Sequence, residues 1–137
     1  MRPISGSFFV DSNIVLYLLD HNDSRKKEIA SALIEEVAFI SPQVIFECLN
    51  VCIKKFKMER PLVAAFLTEL MNASYIQSEN ESTVNQALII FHKYLMQPFD
   101  SKIIASALEA GCNTLYSEDM QHGLIIEKRL TIINPFL

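Results

Sequence analysis

The stretch Phe8-Phe9-Val10-Asp11-Ser12-Asn13-Ile14 decides the fold. Three consecutive apolar side chains, aromatic or β-branched, suit a short strand buried on both faces; a half-exposed strand would alternate apolar and polar residues. The run ends at an acid, and Ile14 to Leu19 is apolar again and opens a helix directly after the strand. A strand passing straight into a helix, with a carboxylate at the junction, is the start of an α/β unit. In such folds ligands collect outside the carboxyl ends of the strands, where the strand order reverses.

The rest of the chain repeats this alternation. Ser24 to Val37 has helical periodicity, with Ile29, Leu33 and Ile34 on one side and Lys26, Lys27 and Glu35 on the other. Ala38-Phe39-Ile40 reads as a second strand, and Ser41-Pro42 supplies an N-cap and a first-turn proline for a helix through Lys55. Glu59 to Asn72 is a further helix, with Leu62, Val63, Phe66, Leu67 and Leu70 as its apolar stripe, and Ser74-Tyr75-Ile76 is a third strand. Ser82 to Met96 reads as a helix with Val84, Leu88, Phe91 and Leu95 spaced for one buried face. Asp100 or Ser101 caps a helix that runs to Ala110 and stops at Gly111. Thr114-Leu115-Tyr116 is a fourth strand, Leu124 to Lys128 a helical turn, and Leu130 to Ile133 a fifth strand. The expected architecture is α/β, with helices on both faces of a central, mostly parallel five-stranded sheet.

Composition bounds the function classes. The 137 residues are 50% hydrophobic and 20% charged, which fits one compact domain and excludes collagen, coiled coil, a disulfide scaffold and intrinsic disorder. Cys48, Cys52 and Cys112 are odd in number and lack metal-type spacing, so they read as buried thiols of a cytoplasmic protein. Met1 to Ser7 shows no secretory signal, and no apolar run approaches the ~20 residues that cross a bilayer, so no membrane partner is expected. Twelve basic against sixteen acidic side chains leave a formal charge of −4, which by itself argues against a nucleic-acid substrate.

The acids themselves change that argument. Asp11 follows the first strand and Asp119 lies shortly after the fourth; Glu47 is the one charge between Pro42 and Ile53; Asp100 stands at a helix start after Pro98-Phe99. Each has an ordinary explanation, as an N-cap, a turn former or, for Glu47 in line with Gln43, Asn50 and Lys54, a solvated helix face. Four acids converging on one end of a sheet would repel one another without a cation among them, and oxygen ligands in that number suit Mg²⁺ or Mn²⁺.

Val10-Asp11-Ser12-Asn13-Ile14, Ser41-Pro42-Gln43-Val44-Ile45-Phe46-Glu47, Phe99-Asp100-Ser101 and Thr114-Leu115-Tyr116-Ser117-Glu118-Asp119 resemble the four acidic motifs of PIN-domain ribonucleases. The likeness is closest to the VapC-like toxins of toxin–antitoxin pairs. It runs from Phe8 to Phe136 and includes Ala107 to Cys112, Leu115 to Gly123 and the ending Asn134-Pro135-Phe136. No single motif is specific, but four in order are. Phe99 stands where this branch often has Trp, and Lys102 where an apolar or small residue is common.

The resemblance implies a single PIN-like domain over residues 1–137. It makes Asp11, Glu47, Asp100 and Asp119 the catalytic, metal-binding acids, with Ser12, Asn13 and Ser117 as polar supports. It implies hydrolysis of RNA phosphodiester bonds with one or two Mg²⁺ or Mn²⁺ ions. Such ions acidify a water, neutralise nonbridging oxygens and stabilise the leaving oxygen, giving 5′-phosphate and 3′-hydroxyl ends. It also implies an RNA substrate, a small cognate antitoxin whose tail enters the active-site groove, and a homodimer, with part of the Glu59–Asn72 helix available for these contacts.

Lys54, Lys55, Lys57 and Arg60, with Lys102, are candidates for gripping the RNA backbone, against a solvated helix end as the alternative; Arg25, Lys26 and Lys27 form a second basic group. His122 reads as structural or exposed. A haloacid-dehalogenase phosphatase would need an acid where Asn13 stands, and a receiver domain would need paired acids after the first strand. A non-catalytic PIN-like RNA- or protein-binding module would be expected to have lost one or more acids, and all four are present. If the four share a site they account for the whole excess of negative charge, and bound cations would offset it where phosphate must bind.

Overall fold

The computed structural model describes residues 6–137. The reading of Met1 to Ser7 as free of a signal falls mostly outside the described residues. Six strands form one sheet in the order β3-β2-β1-β4-β6-β5. They are β1 (Phe8–Val10), β2 (Phe39–Ile40), β3 (Tyr75–Ile76), β4 (Thr114–Tyr116), β5 (Ile125–Ile126) and β6 (Leu130–Ile133). The helices are α1 (Ser12–Leu16), α2 (Ser24–Glu35), α3 (Pro42–Lys54), α4 (Arg60–Asn72), α5 (Glu81–Tyr94) and α6 (Pro98–Glu109), with a 3₁₀ turn at Tyr17–Leu19.

The opening motif behaves as its composition dictates. All three residues of β1 are buried, and the strand lies centrally, parallel to β2 (Phe9 opposite Phe39) and to β4 (Phe8, Phe9 and Val10 opposite Thr114, Leu115 and Tyr116). A strand closed off along its whole length needs cover on both faces, and the helices supply it. From β1 the order steps to β2 and β3 on one side and to β4 and β6 on the other, so the order reverses between β1 and β4. The crevice expected at such a switch point opens at Asp11 and Ser117, the residues immediately after those two strands. The core around them is Phe9, Val10, Ile14, Ile40, Ile103, Ile104, Leu115 and Ile132, all fully or almost fully buried.

The sheet has six strands, not five. Leu124 to Lys128, expected as a helical turn, instead contributes β5, which pairs antiparallel with β6 (Ile126 opposite Leu130). The turn between them carries Glu127 and Lys128 at φ 51° and 57°, and Arg129 N–H donates to the Ile126 carbonyl at 3.0 Å. Two successive left-handed residues are the geometry of a type I′ hairpin turn, which normally selects Asn or Gly. Neither is present, so local sequence carries no hairpin signal. Tyr94 and Lys93 of α5 hold the turn instead: Tyr94 OH donates to Glu127 Oε2 at 2.9 Å and accepts from Glu127 N–H at 2.9 Å, and Lys93 Nζ donates to Glu127 Oε2 at 2.6 Å.

Helix starts differ from expectation in two places. Helix α6 begins at Pro98 with Gln97 as N-cap, so Asp100 is a first-turn residue and not the cap; it ends as expected, with Gly111 left-handed at φ 76°. Helix α5 begins after Asn80, whose carbonyl side chain accepts from Thr83 N–H while Thr83 Oγ1 accepts from Asn80 N–H, a reciprocal cap. More consequential, the α5 stripe Val84, Leu88, Phe91 and Leu95 is exposed, and the buried residues are Thr83, Ala87 and Ile90 one position away. Helix α5 packs on α6, and Thr83 Oγ1 donates to Glu109 Oε1 at the contact. Of the α4 stripe, Val63, Leu67 and Leu70 are buried and Leu62 is exposed. Cys48, Cys52 and Cys112 are buried and unpaired, and no helix among the described residues is long and apolar enough to cross a membrane.

This inversion of α5 gives a direct test. Ile90→Ala should destabilise the protein by about 2–5 kcal/mol in urea unfolding. Leu88→Ala, on the stripe that periodicity favours, should cost no more than about 0.5 kcal/mol. Equal losses would mean that the helix is rotated from the orientation described.

Candidate active site

Asp11 is the pivot of the strand-end crevice. Its backbone N–H continues the β1–β4 ladder by donating to the Tyr116 carbonyl at 3.0 Å, which turns its side chain into the crevice at the start of α1. It is both an N-cap, with Oδ1 accepting from Ser12 N–H at 2.8 Å, and a member of a cross-strand pair, with Oδ2 accepting from Ser117 Oγ at 2.9 Å. Ser117 is fully buried and held by its own N–H donating to the Ile133 carbonyl, so β6 positions it. Ser12, expected as a polar support, serves through this backbone N–H.

Asn13 ties the first strand end to the fourth. Its Oδ1 accepts from Glu118 N–H at 3.1 Å, which fixes the amide orientation and leaves Nδ2 to face carboxylates. Nδ2 donates to Asp119 Oδ2 at 3.1 Å and lies 3.5 Å from both Asp11 Oδ2 and Ser117 Oγ. Glu47 arrives from α3. Gln43, one helical turn earlier, donates from Nε2 to Glu47 Oε2 at 3.0 Å and to the Phe99 carbonyl at 3.1 Å, joining α3 to the turn that carries Asp100. Gln43 is buried, so it is not part of a solvated face with Glu47; the spacing of four between them was the available signal, and it reads equally well as surface or as support.

The four acids therefore sit at one end of the sheet and feel one another. Burial raises the Asp11 carboxyl from its ordinary 3.8 to about 6, against the lowering effect of the Ser117 and Ser12 hydrogen bonds, and the charges of Glu47 and Asp100 push it the same way. Asp100 is also raised, first by burial and then by Glu47 and Asp119. The ion pairs among the described residues join Lys26 to Glu118, Lys93 to Glu127 and Lys102 to Glu79, and none reaches the four acids. Crowded carboxylates without a basic partner are a donor set that a hard divalent cation fits. Among the described residues no three His, Cys, Asp or Glu side chains close around a common point.

Two grooves open on either side. One, of about 680 Å³, is lined by Asn13, Tyr17, Lys55, Phe56, Glu118 and Asp119. The other, of about 860 Å³, is lined by Gln43, Phe46, Glu47, Arg60, Phe99 and Lys102. Of the expected basic group, Lys55 lines the first groove and Arg60 the second, while Lys54 and Lys57 are exposed and line neither. Lys102 has a carboxylate partner, Glu79 Oε1 at 3.2 Å. Two members of the second basic group are engaged: Arg25 donates to the Phe136 carbonyl and Lys26 to Glu118. His122 is structural, its Nδ1 accepting from Asn134 N–H at 2.9 Å. Tyr17, Gln43 and Glu118 were not anticipated; Tyr17 and Glu118 are joined only by the fold.

A family model of the PIN domain matches residues 8–123, and the chain belongs to that family. The fold is shared with VapC20 of Mycobacterium tuberculosis, a sarcin–ricin loop cleaving toxin, at 21% identity and a TM-score of 0.67 over 82% of this chain and 90% of that one. It is shared with a toxin–antitoxin complex from Klebsiella pneumoniae at 18% identity and a TM-score of 0.67, covering 95% of this chain and 98% of that one. PAE2754 from Pyrobaculum aerophilum is similar at 18% identity and a TM-score of 0.58, covering 86% and 83% of the two chains. No curated protein matches in sequence.

Asp11 makes the metal-free protein sensitive to pH. A carboxyl with a higher pKa folded than unfolded favours the folded state while protonated, and this contribution is lost as pH rises from about 4 through about 6. At about 1.4 kcal/mol per tenfold change in proton affinity, the loss is about 3 kcal/mol. Urea unfolding in the presence of a chelator should show this decline, and Asp11→Asn should flatten it. An equally steep profile in the variant would assign the dependence to other groups.

Proposed function

We propose that this PIN-domain chain, acting as one unit over residues 1–137, is a metal-dependent endoribonuclease and the toxin of a toxin–antitoxin pair. The observation that carries this reading is Asp11: a carboxylate at the strand-order switch point, pushed up by burial and by Glu47 and Asp100, with no ion pair to any of the four acids among the described residues. Membership of the PIN family and the fold shared with VapC20 and the Klebsiella toxin–antitoxin complex support it.

In this reading Asp11, Glu47, Asp100 and Asp119 hold one or two Mg²⁺ or Mn²⁺ ions. The bound ion supplies Lewis-acid polarisation of the phosphoryl group and an acidified water. The chain's own residues do the positioning. Ser117 and the Ser12 N–H orient Asp11, Gln43 orients Glu47, and Asn13 spans the gap between Asp11 and Asp119. Lys55 and Arg60, one on each groove, are placed to receive the RNA backbone on either side of the acids. Protein partners, a small antitoxin and a second copy of this chain, are supported by the exposed stripe Val84, Leu88, Phe91 and Leu95, a kind of apolar face that marks interaction surfaces.

One observation favours a second reading, a non-catalytic PIN-like binding module: no three of the candidate ligands close on a common point. Cleavage separates the two. With Mg²⁺ or Mn²⁺ the native chain should cut RNA, and Asp11→Asn and Asp100→Asn should each lower the rate at least about a hundredfold, more than loss of a supporting residue usually costs. Cleavage unaffected by both substitutions would overturn the site assignment. RNA bound but uncut, with no divalent ion taken up in calorimetry, would establish the binding module.

A further inference from the structure

Asp119 is the exposed member of the four acids, carried on the loop after β4, and its recorded hydrogen-bond partner is Asn13 Nδ2. Its neighbour Glu118 is far more constrained. The Glu118 N–H donates to Asn13 Oδ1 at 3.1 Å, Tyr17 OH donates to Glu118 Oε1 at 2.6 Å, and Lys26 Nζ donates to Glu118 Oε2 at 2.5 Å. Lys26 also donates to Tyr17 OH at 3.2 Å and lies over the rings of Tyr17 and Phe136 at 5.0 and 5.2 Å. Those rings meet edge to face with centroids 5.0 Å apart, and Arg25 donates to the Phe136 carbonyl at 2.7 Å. Residue 118 is therefore held by three separate elements, α1 through Asn13, the 3₁₀ turn through Tyr17 and α2 through Lys26, while Phe136 packs against Tyr17 and Lys26.

We propose that Tyr17, Lys26 and Glu118 form a positioning clamp that sets Asp119 against the other acids through Asn13; the proposal rests on the function argued above. Two features separate the clamp from an ordinary surface ion pair. The Asn13 amide has one end fixed by Glu118 N–H and offers the other to Asp119, so movement of residue 118 changes the direction in which Asn13 donates. The Lys26 and Glu118 side chains are only 26% and 23% exposed, and Lys26 is boxed in by two aromatic rings, so the pair has one geometry where a solvated pair would have many. Groups one step removed from metal ligands commonly change metal affinity by about 10- to 100-fold when removed, because they fix ligand direction.

The test uses the full chain and Mn²⁺ as the probe. Calorimetric titration of Glu118→Gln and Lys26→Met should show Mn²⁺ affinity at least about tenfold weaker than wild type. RNA cleavage by both should show a lower kcat at an unchanged KM, and Lys26→Arg, which keeps the charge and the donor, should recover both. Asp11→Asn is the reference for loss of the site itself. Wild-type Mn²⁺ affinity and kcat in both clamp variants, with only the thermal midpoint lowered, would show a purely structural ion pair and overturn the clamp while leaving the nuclease reading intact. A wild-type chain that neither takes up Mn²⁺ nor cuts RNA would overturn both.

Discussion

A carboxyl group buried at the end of the central strand is the constraint around which this molecule is built. Asp11 follows three buried residues and is itself 5% exposed, so it has lost most of its solvation without gaining a positive partner among the described residues. A charge in that position costs free energy that hydrogen bonds to the ionised form, a cation, or protonation of the carboxyl can relieve. The structure provides the first: Ser12 N–H and Ser117 Oγ each donate to one of its oxygens. Glu47 and Asp100 make the electrostatic problem worse, the opposite of what stability alone would select. Perturbation of this kind in a crevice marks Asp11 as a candidate functional group.

The surrounding architecture can be traced from that constraint. Parallel strands place the ends of β1 and β4 side by side, which brings Ser117 within reach of Asp11 across 106 residues of chain. First-turn prolines, Pro42 and Pro98, set where α3 and α6 begin, with no side-chain cap hydrogen bond from Ser41 or Gln97. Those starts put Glu47 on the second turn of α3 and Asp100 on the first turn of α6, and Gln43 ties the two together by donating to Glu47 and to the Phe99 carbonyl. The acids thus come from four different segments, three of them on or directly beside buried strands and helices, and Asp119 on the loop after β4. Its position depends on Asn13 and on the Glu118 network, which is why that network matters beyond its modest contribution to stability.

Where local pattern and structure disagree, the reason is competition between packing surfaces. On α5 the large side chains Val84, Leu88, Phe91 and Leu95 form a regular stripe, yet Thr83, Ala87 and Ile90 are the residues turned inward. Helical periodicity identifies an apolar face but not its destination, and it is the face of Thr83, Ala87 and Ile90 that is covered. The β5–β6 hairpin shows the same limit in another form. Glu127 and Lys128 adopt left-handed backbone that their types disfavour by about 1–2 kcal/mol each, and the side chains of Lys93 and Tyr94 from a distant helix secure Glu127.

The sequence by itself determined the α/β class and the buried first strand and singled out the four acids as candidates, because these depend on local apolar runs, strand-to-helix junctions and the order of short motifs. The tertiary structure alone decided which face of α5 is covered, where the sixth strand lies, and how Gln43, Tyr17, Lys26 and Glu118 support the acids. The physical reason is range. Secondary-structure periodicity and capping act over a few residues, whereas Tyr17 meets Glu118 across 101 residues and Lys26 meets it across 92. Such pairings exist only after the parallel sheet has brought the ends of β1 and β4 together.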